Sequence, residues 1–169
     1  MSLPTPEPND DLPHHARFRD RVRSRTGRAD LFVFRVGDER FAVDVRAVDE
    51  VIENPMLYAV PDVDAGVAGV CSHAGGPLPV VRAAAVLGVA ASDPETVLDM
   101  RRGSDRLGLF VDDVDDVATV QLDGLRGPPY DEEDDFLVAV FWDGRRLTSI
   151  LDARAVVGAG AALLSPSLQ

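Results

Sequence analysis

RVGDERFAVDVRAVDEV (residues 35–51) and RRGSDRLGLFVDDVDDV (residues 101–117) lie over one another at a constant shift of 66 positions. Arg35, Gly37, Arg40, Val45, Val48, Asp49 and Val51 fall on Arg101, Gly103, Arg106, Val111, Val114, Asp115 and Val117. A second pair, RAAAVLG (82–88) and DARAVVG (152–158), matches at a shift of 70. The chain therefore reads as two copies of one β-rich unit, over about residues 31–88 and 97–158. Copies of one supersecondary unit commonly pack together and share a core. Short strands at regular spacing, punctuated by Gly and Pro turns, predict small barrels.

Within the first copy, LFVFRV and FAVDV are β-prone runs on either side of a bend at Gly37 and Asp38, a hairpin signal. RAVDEVIE sets Ala47, Val48, Val51 and Ile52 at helical spacing, and Pro55 ends that segment. Further short strands are expected over 57–60, 67–71 and 78–81, then a short helix, AAAVLG, closed by Gly88. VAASDPE links the copies as a loop. Outside them, residues 1–29 form an Arg-rich leader, with Arg at 17, 19, 21, 23 and 25, expected to be flexible. Residues 159–169 are small and polar and are expected to be a flexible tail.

The formal net charge is −12. All 17 basic residues are arginine, and of the 29 acids 22 are aspartate and 7 glutamate. This composition resembles the proteomes of salt-in halophiles, where a Debye length of about 3 Å or less screens repulsion among surface carboxylates. A GC-rich genome, favouring Arg, Ala, Gly and Asp codons, is the rival explanation. The charge is uneven: residues 1–30 carry six Arg against five acids, and residues 31–169 eleven Arg against twenty-four. The folded part is thus a poor binder of nucleic acid or anionic membrane. No run approaches the ~20 apolar residues of a membrane span. The N-terminus lacks a signal-peptide pattern, and a lone Cys71 forms no internal disulfide. These features point to the cytoplasm.

Cys71 and His73, two apart in GVCSHAGGPLPVV, invite a nucleophile or metal reading. A zinc site needs about four Cys or His ligands, and the chain offers one Cys and three His, two of them in the leader. Cys71 reads better as a small core hydrophobe and His73 as a loop residue. VDDVDDV (111–117) and DEEDD (131–135) lack the glycine and ligand spacing of a calcium loop and read as wet surface. No phosphate loop, dinucleotide fingerprint or hydrolase elbow is present. An interaction protein is left, with no catalytic residue, metal, cofactor or small-molecule substrate expected.

LFVFRVGDERFAVDVRAVDEVIE, AVPDVDAGVAGV and PLPVVRAAAVLG, followed by RLGLFVDDVDDV and RLTSILDARAVVG, together resemble the CheW-like domain of chemotaxis coupling proteins, over residues 30–158. The resemblance implies two intertwined five-stranded SH3-like β-barrels with short helices. It also implies a non-enzymatic adaptor joining the cytoplasmic tip of a chemoreceptor to the regulatory domain of a CheA-type histidine kinase. A CheW-like paralogue that binds a kinase without coupling receptors is the alternative. By position, the receptor-facing groove would include Val48, Glu50 and Gly69, with Val45 and Ala47 beside them. Gly69 would let another backbone come close. Val114 and Val117 of the second copy would be core, and Leu78 and Val80 would meet the kinase. The loop of Ser72, His73, Ala74 and Gly75 departs from the family pattern, with Ser72 for an asparagine and Ala74 for an arginine able to grip a carboxylate.

Overall fold

The structure, a computed structural model, describes residues 27–73, 76–90, 93–125 and 136–165. Most of the leader and the DEEDD run lie outside these residues. The first copy begins with β1 (Arg28–Val36) and β2 (Glu39–Asp44), followed by a 3-10 turn (Val45–Ala47) and β3 (Val48–Glu53). Then come the two-residue β4 (Leu57–Tyr58), β5 (Val67–His73), β6 (Gly76–Arg82) and helix α1 (Ala83–Leu87). The second copy contains β7 (Thr96–Arg102), β8 (Asp105–Val111), β9 (Asp113–Gln121), a 3-10 turn (Leu122–Gly124), β10 (Leu137–Trp142), β11 (Leu147–Leu151) and helix α2 (Ala153–Leu164).

The aligned glycines turn both leading hairpins. Val36 faces Glu39 across Gly37–Asp38, and Arg102 faces Asp105 across Gly103–Ser104. Gly37 has φ 61° and Gly103 φ 58°, with neither following residue at positive φ. Glycine first at positive φ suits a two-residue hairpin whose twist matches its strands.

Each hairpin belongs to the other copy's sheet. One sheet runs β10-β11-β2-β1-β9 and the other β3-β7-β8-β6-β5-β4. The joins are parallel, β11 to β2 and β6 to β8, and antiparallel, β1 to β9 and β7 to β3. The copies are therefore intertwined, as the resemblance implied. The second sheet has six strands rather than five because β4 adds to the edge of β5.

The exchanged hairpins are buried on both faces. In β1, Leu31 and Val33 point into a core inside the first sheet, with Ala42, Val138 and Ile150. Phe34 and Val36 point the other way, into a larger core with Leu98, Met100, Leu107, Leu109, Val156 and Val157. Likewise Val97 of β7 packs with Cys71, Leu78 and Val80 inside the second sheet, while Leu98 and Met100 join the shared core. Strands buried on both faces read as near-continuous apolar runs, which is why LFVF shows no alternation.

Two expectations are corrected. RAVDEVIE is not a helical turn through Ile52: a 3-10 turn ends at Ala47 and β3 follows. Val48 pairs with Met100 but Glu50 with Asp99, so one extra residue is inserted at Asp49. The same bulge recurs in β9, where Val114 faces Phe34 and Val117 faces Phe32. A bulge resets strand alternation, so valines three apart mimic a helix. The second correction concerns the tail. Gly88, at φ 69°, caps α1, but α2 continues past Gly158 to Leu164, so residues 159–164 are helical. Gly160 is buried there, and a Cβ on it would lie 2.7 Å from Leu107 Cδ2. The small residues of AGAGAA let the helix approach the sheet closely, and did not mark its end.

This packing separates two glycines two residues apart. A Cβ at Gly158 meets only the Arg102 guanidinium, a movable group, at 3.1 Å. Gly158→Ala should raise stability by up to about 1 kcal/mol, the helix-propensity gain. Gly160→Ala should lose about 1–3 kcal/mol by overpacking. Urea unfolding of both variants checks the opposite signs.

Candidate partner-binding surfaces

The sequence-predicted receptor residues gather on the second sheet and its entry. Val45, Ala47 and Val48 are half-buried, and Ala47 and Val48 lean on the shared core. Glu50 is exposed on β3. Ser72 is exposed, and His73 ends β5 with its side chain 11% exposed. The Nε2 of His73 lies 2.5 Å from Oε2 of Glu50. Three strands separate β3 from β5 in hydrogen-bonding order, so this contact shows that the sheet curls until its two sides meet. His73 is thus a strand residue joined to the proposed groove, not a free loop residue. Ala74 and Gly75 lie outside the described residues.

Gly69 is necessary for an internal reason. It has φ 140°, and a Cβ on it would stand 2.4 Å from the carbonyl oxygen of Tyr58. The backbone it admits is the chain's own β4, in place of the partner backbone expected from the sequence. Leu78 and Val80 are also corrected: both are fully buried against Cys71 and Val97. They are paired β6 residues whose side chains fill the interior of the second sheet, so neither presents a contact surface. In the second copy, Val114 packs on the shared core as expected, while Val117 is 51% exposed on the outer strand β9.

Charges around β3 and β7 are mutually satisfied. Arg106 grips the buried Asp99 with two nitrogens, Nε to Oδ1 at 3.1 Å and Nη2 to Oδ2 at 2.8 Å. The Asp99 hydrogen bond, opposed by desolvation and helped by the fields of Asp99, Asp49 and Glu50, raises the Arg106 pKa. Arg101 pairs with Asp49. A bidentate Arg–carboxylate fork fixes geometry as well as charge, and here it fastens the β7–β8 hairpin beneath the bulge of β3.

Cys71 is buried, and burial first, then the field of Asp99, pushes its thiol pKa up. A nucleophilic thiol needs the reverse. Among the described residues, no group of three or more His, Cys, Asp or Glu side chains is placed to hold a metal ion. VDDVDDV is the end of β8 and the bulged start of β9, with Asp113, Asp115 and Asp116 exposed. No described helix is long and apolar enough to cross a membrane.

Sequence reasoning missed two exposed apolar surfaces. Met56, Tyr58, Val60 and Val63 stand out along β4 and its flanking residues, at the edge of the second sheet. Trp142 and Leu147 face each other across the β10–β11 hairpin, 64% and 50% exposed. The available signal was an aromatic residue directly before the turn DGRR.

Most of this architecture has known counterparts: the CheW-like domain family model matches residues 30–160. The chemotaxis protein CheW of Rhizobium meliloti is 36% identical over 97 residues, covering 56% of this chain and 63% of that protein. A probable chemotaxis protein CheW of Rhizobium etli is 30% identical over 138 residues, covering 77% of this chain and 88% of its own. The chain belongs to the CheW-like domain family. The scaffolding protein TtCheW of Thermoanaerobacter tengcongensis has the same fold, with a TM-score of 0.66 and 18% identity over 73% of this chain and 88% of that one.

Two measurements check the site chemistry. A thiol reagent should modify Cys71 in the native protein far more slowly than in the urea-unfolded chain, with labelling tracking unfolding. Asp143, at the β10–β11 turn, accepts the backbone N–H groups of Arg146 and Arg145 and a bond from Arg40. Those two N–H groups, then Arg40, hold its carboxyl below the usual range. Its stabilisation is complete above the unfolded Asp pKa and is lost as pH falls through the lower folded value. Asp143→Asn should therefore flatten the acid limb of the stability–pH curve, read by thermal melts between pH 2 and 6, roughly the range that carboxylates span.

Proposed function

We propose that this protein is a non-enzymatic chemotaxis adaptor of the cytoplasm, coupling chemoreceptor tips to the regulatory domain of a CheA-type histidine kinase. The observation that carries this reading is the presence of separate exposed apolar surfaces on the two sheets of a CheW-like domain. Large exposed apolar residues clustered on a monomer suit protein contact better than catalysis. Relatives named as chemotaxis proteins, and a structural neighbour named as a scaffold, support the same reading.

On this reading, Val45, Ala47, Val48, Glu50, Ser72 and His73, with Ala74 and Gly75, form the receptor side. The kinase side moves from the buried Leu78 and Val80 to the adjacent edge at Met56 and Tyr58. Edge strands readily accept another chain, and a related barrel in the kinase would supply one. The second reading, a paralogue that binds a kinase without receptors, draws on one feature. Ala74 stands where the family pattern has a cationic fork, and one oxygen of Glu50 already meets His73.

Co-purification in multi-molar KCl, with a kinase regulatory domain and a receptor tip as prey, decides between them. Retention of both is expected. Tyr58→Arg should weaken kinase retention about tenfold and spare the receptor, and Val48→Arg should do the reverse, as expected of apolar hot spots. Retention of the kinase alone would support the paralogue; retention of neither would contradict both.

A further inference from the structure

Besides the length of their closing helices, the two copies differ at one sheet edge. In the second sheet, β4 lies on the outer edge of β5. By the pairing of the copies, β5 and β6 correspond to β10 and β11, and β3 corresponds to β9. No described strand lies on the corresponding edge of β10. An apolar groove of about 310 Å³ occupies that position, walled by Val120 of β9, by Leu125, and by Val140 and Phe141 of β10. Trp142 and Leu147 form its rim. Their other side borders a second groove, of about 760 Å³, that carries Arg145 and Arg146.

The rim is rigidly built. Asp143 Oδ1 accepts the N–H groups of Arg145 and Arg146, both at 2.8 Å, and Oδ2 accepts Arg40 Nη1 at 2.6 Å. This ties the hairpin tip to β2. Arg35, Arg40, Arg46, Arg101 and Arg106 each hold an acidic side chain. Arg145 and Arg146 are exposed at the tip, where the backbone rather than their guanidinium groups engages Asp143. Asp38 and Glu39 also border the second groove, on the hairpin whose strand β2 lies beside β11.

We propose that the β10 edge is a docking slot for an extended segment of a partner protein, which pairs as an added strand in the position that β4 fills in the other sheet. Strand addition takes affinity from main-chain bonds and specificity from alternate side chains. Here alternate apolar side chains would fill the groove beneath Trp142. β4 is antiparallel to β5, so the guest runs antiparallel to β10, and its N-terminal end meets Trp142 and the two arginines. The occupant is therefore an acidic stretch followed by alternating apolar residues, and the order is part of the inference. Trp and Arg at a rigid rim are the residue types that most often dominate binding energy, and charge complementarity selects the acidic end.

Trp142 is the only tryptophan, so its emission reports on the slot directly. The probe is a synthetic peptide of about eight residues, near a normal strand length, with two aspartates preceding alternating valine and threonine. Titration into the full chain should shift Trp142 emission to the blue and saturate. A peptide of reversed order should bind about tenfold more weakly, and so should the peptide against R145E/R146E, a loss typical of hot-spot residues. An unchanged urea midpoint would show that the double variant folds. No saturable shift at millimolar peptide would overturn the proposal. So would occupation of the slot by the chain's own residues 126–135. In that case, replacing them with Gly and Ser would shift Trp142 to the red, and only that variant would take the peptide. These readouts are independent of the coupling assay.

Discussion

The two parallel joins, β11 with β2 and β6 with β8, make each half of the chain incomplete without the other. A hairpin at the start of each copy leaves its own sequence neighbours and finishes the opposite sheet. Its two strands then face a private core on one side and the shared core on the other. Leu31 and Phe34, three residues apart in β1, belong to different cores. Most apolar side chains of the hairpins are therefore buried, and Asp99, buried among them, is neutralised by Arg106.

That commitment shapes the exterior. With the hairpins central in each sheet, β3 and β4 bound one sheet and β9 and β10 the other. Three of the exposed apolar residues lie on outer strands: Tyr58 on β4, Val117 on β9 and Trp142 on β10. On the proposed reading, recognition lies at sheet edges, where the backbone also has hydrogen-bonding capacity to offer. A family built by duplication can differentiate those edges independently. In this chain, β4 covers one, held close by Gly69, while the corresponding position on β10 is an apolar groove beside arginines.

Much of this was legible in the sequence because it depends on local chemistry repeated at fixed spacing. Gly37 and Gly103 announce two identical turns, and Gly88 announces the end of α1. The duplication itself predicts a shared core. What was misread depends on pairing. The valines of VDEV and VDDV have helical spacing only because each strand carries a bulge at its acidic pair. Gly160 looks like a helix breaker until Leu107 is known to press against it. Leu78 and Val80 look like surface candidates by position, yet they alternate inward on a strand with neighbours on both sides. The partnership of Glu50 and His73 joins strands far apart in pairing order, and no local pattern encodes it.

The central claim is that the halves exchange hairpins and fold as one unit. The direct measurement is to produce residues 1–90 and 91–169 as separate chains and follow each by circular dichroism and urea unfolding. Neither should show a cooperative transition alone, because each would expose both faces of its leading hairpin. An equimolar mixture should recover the strand signal and a single transition like that of the intact chain. A cooperative transition in either half by itself, with native strand signal, would contradict the account.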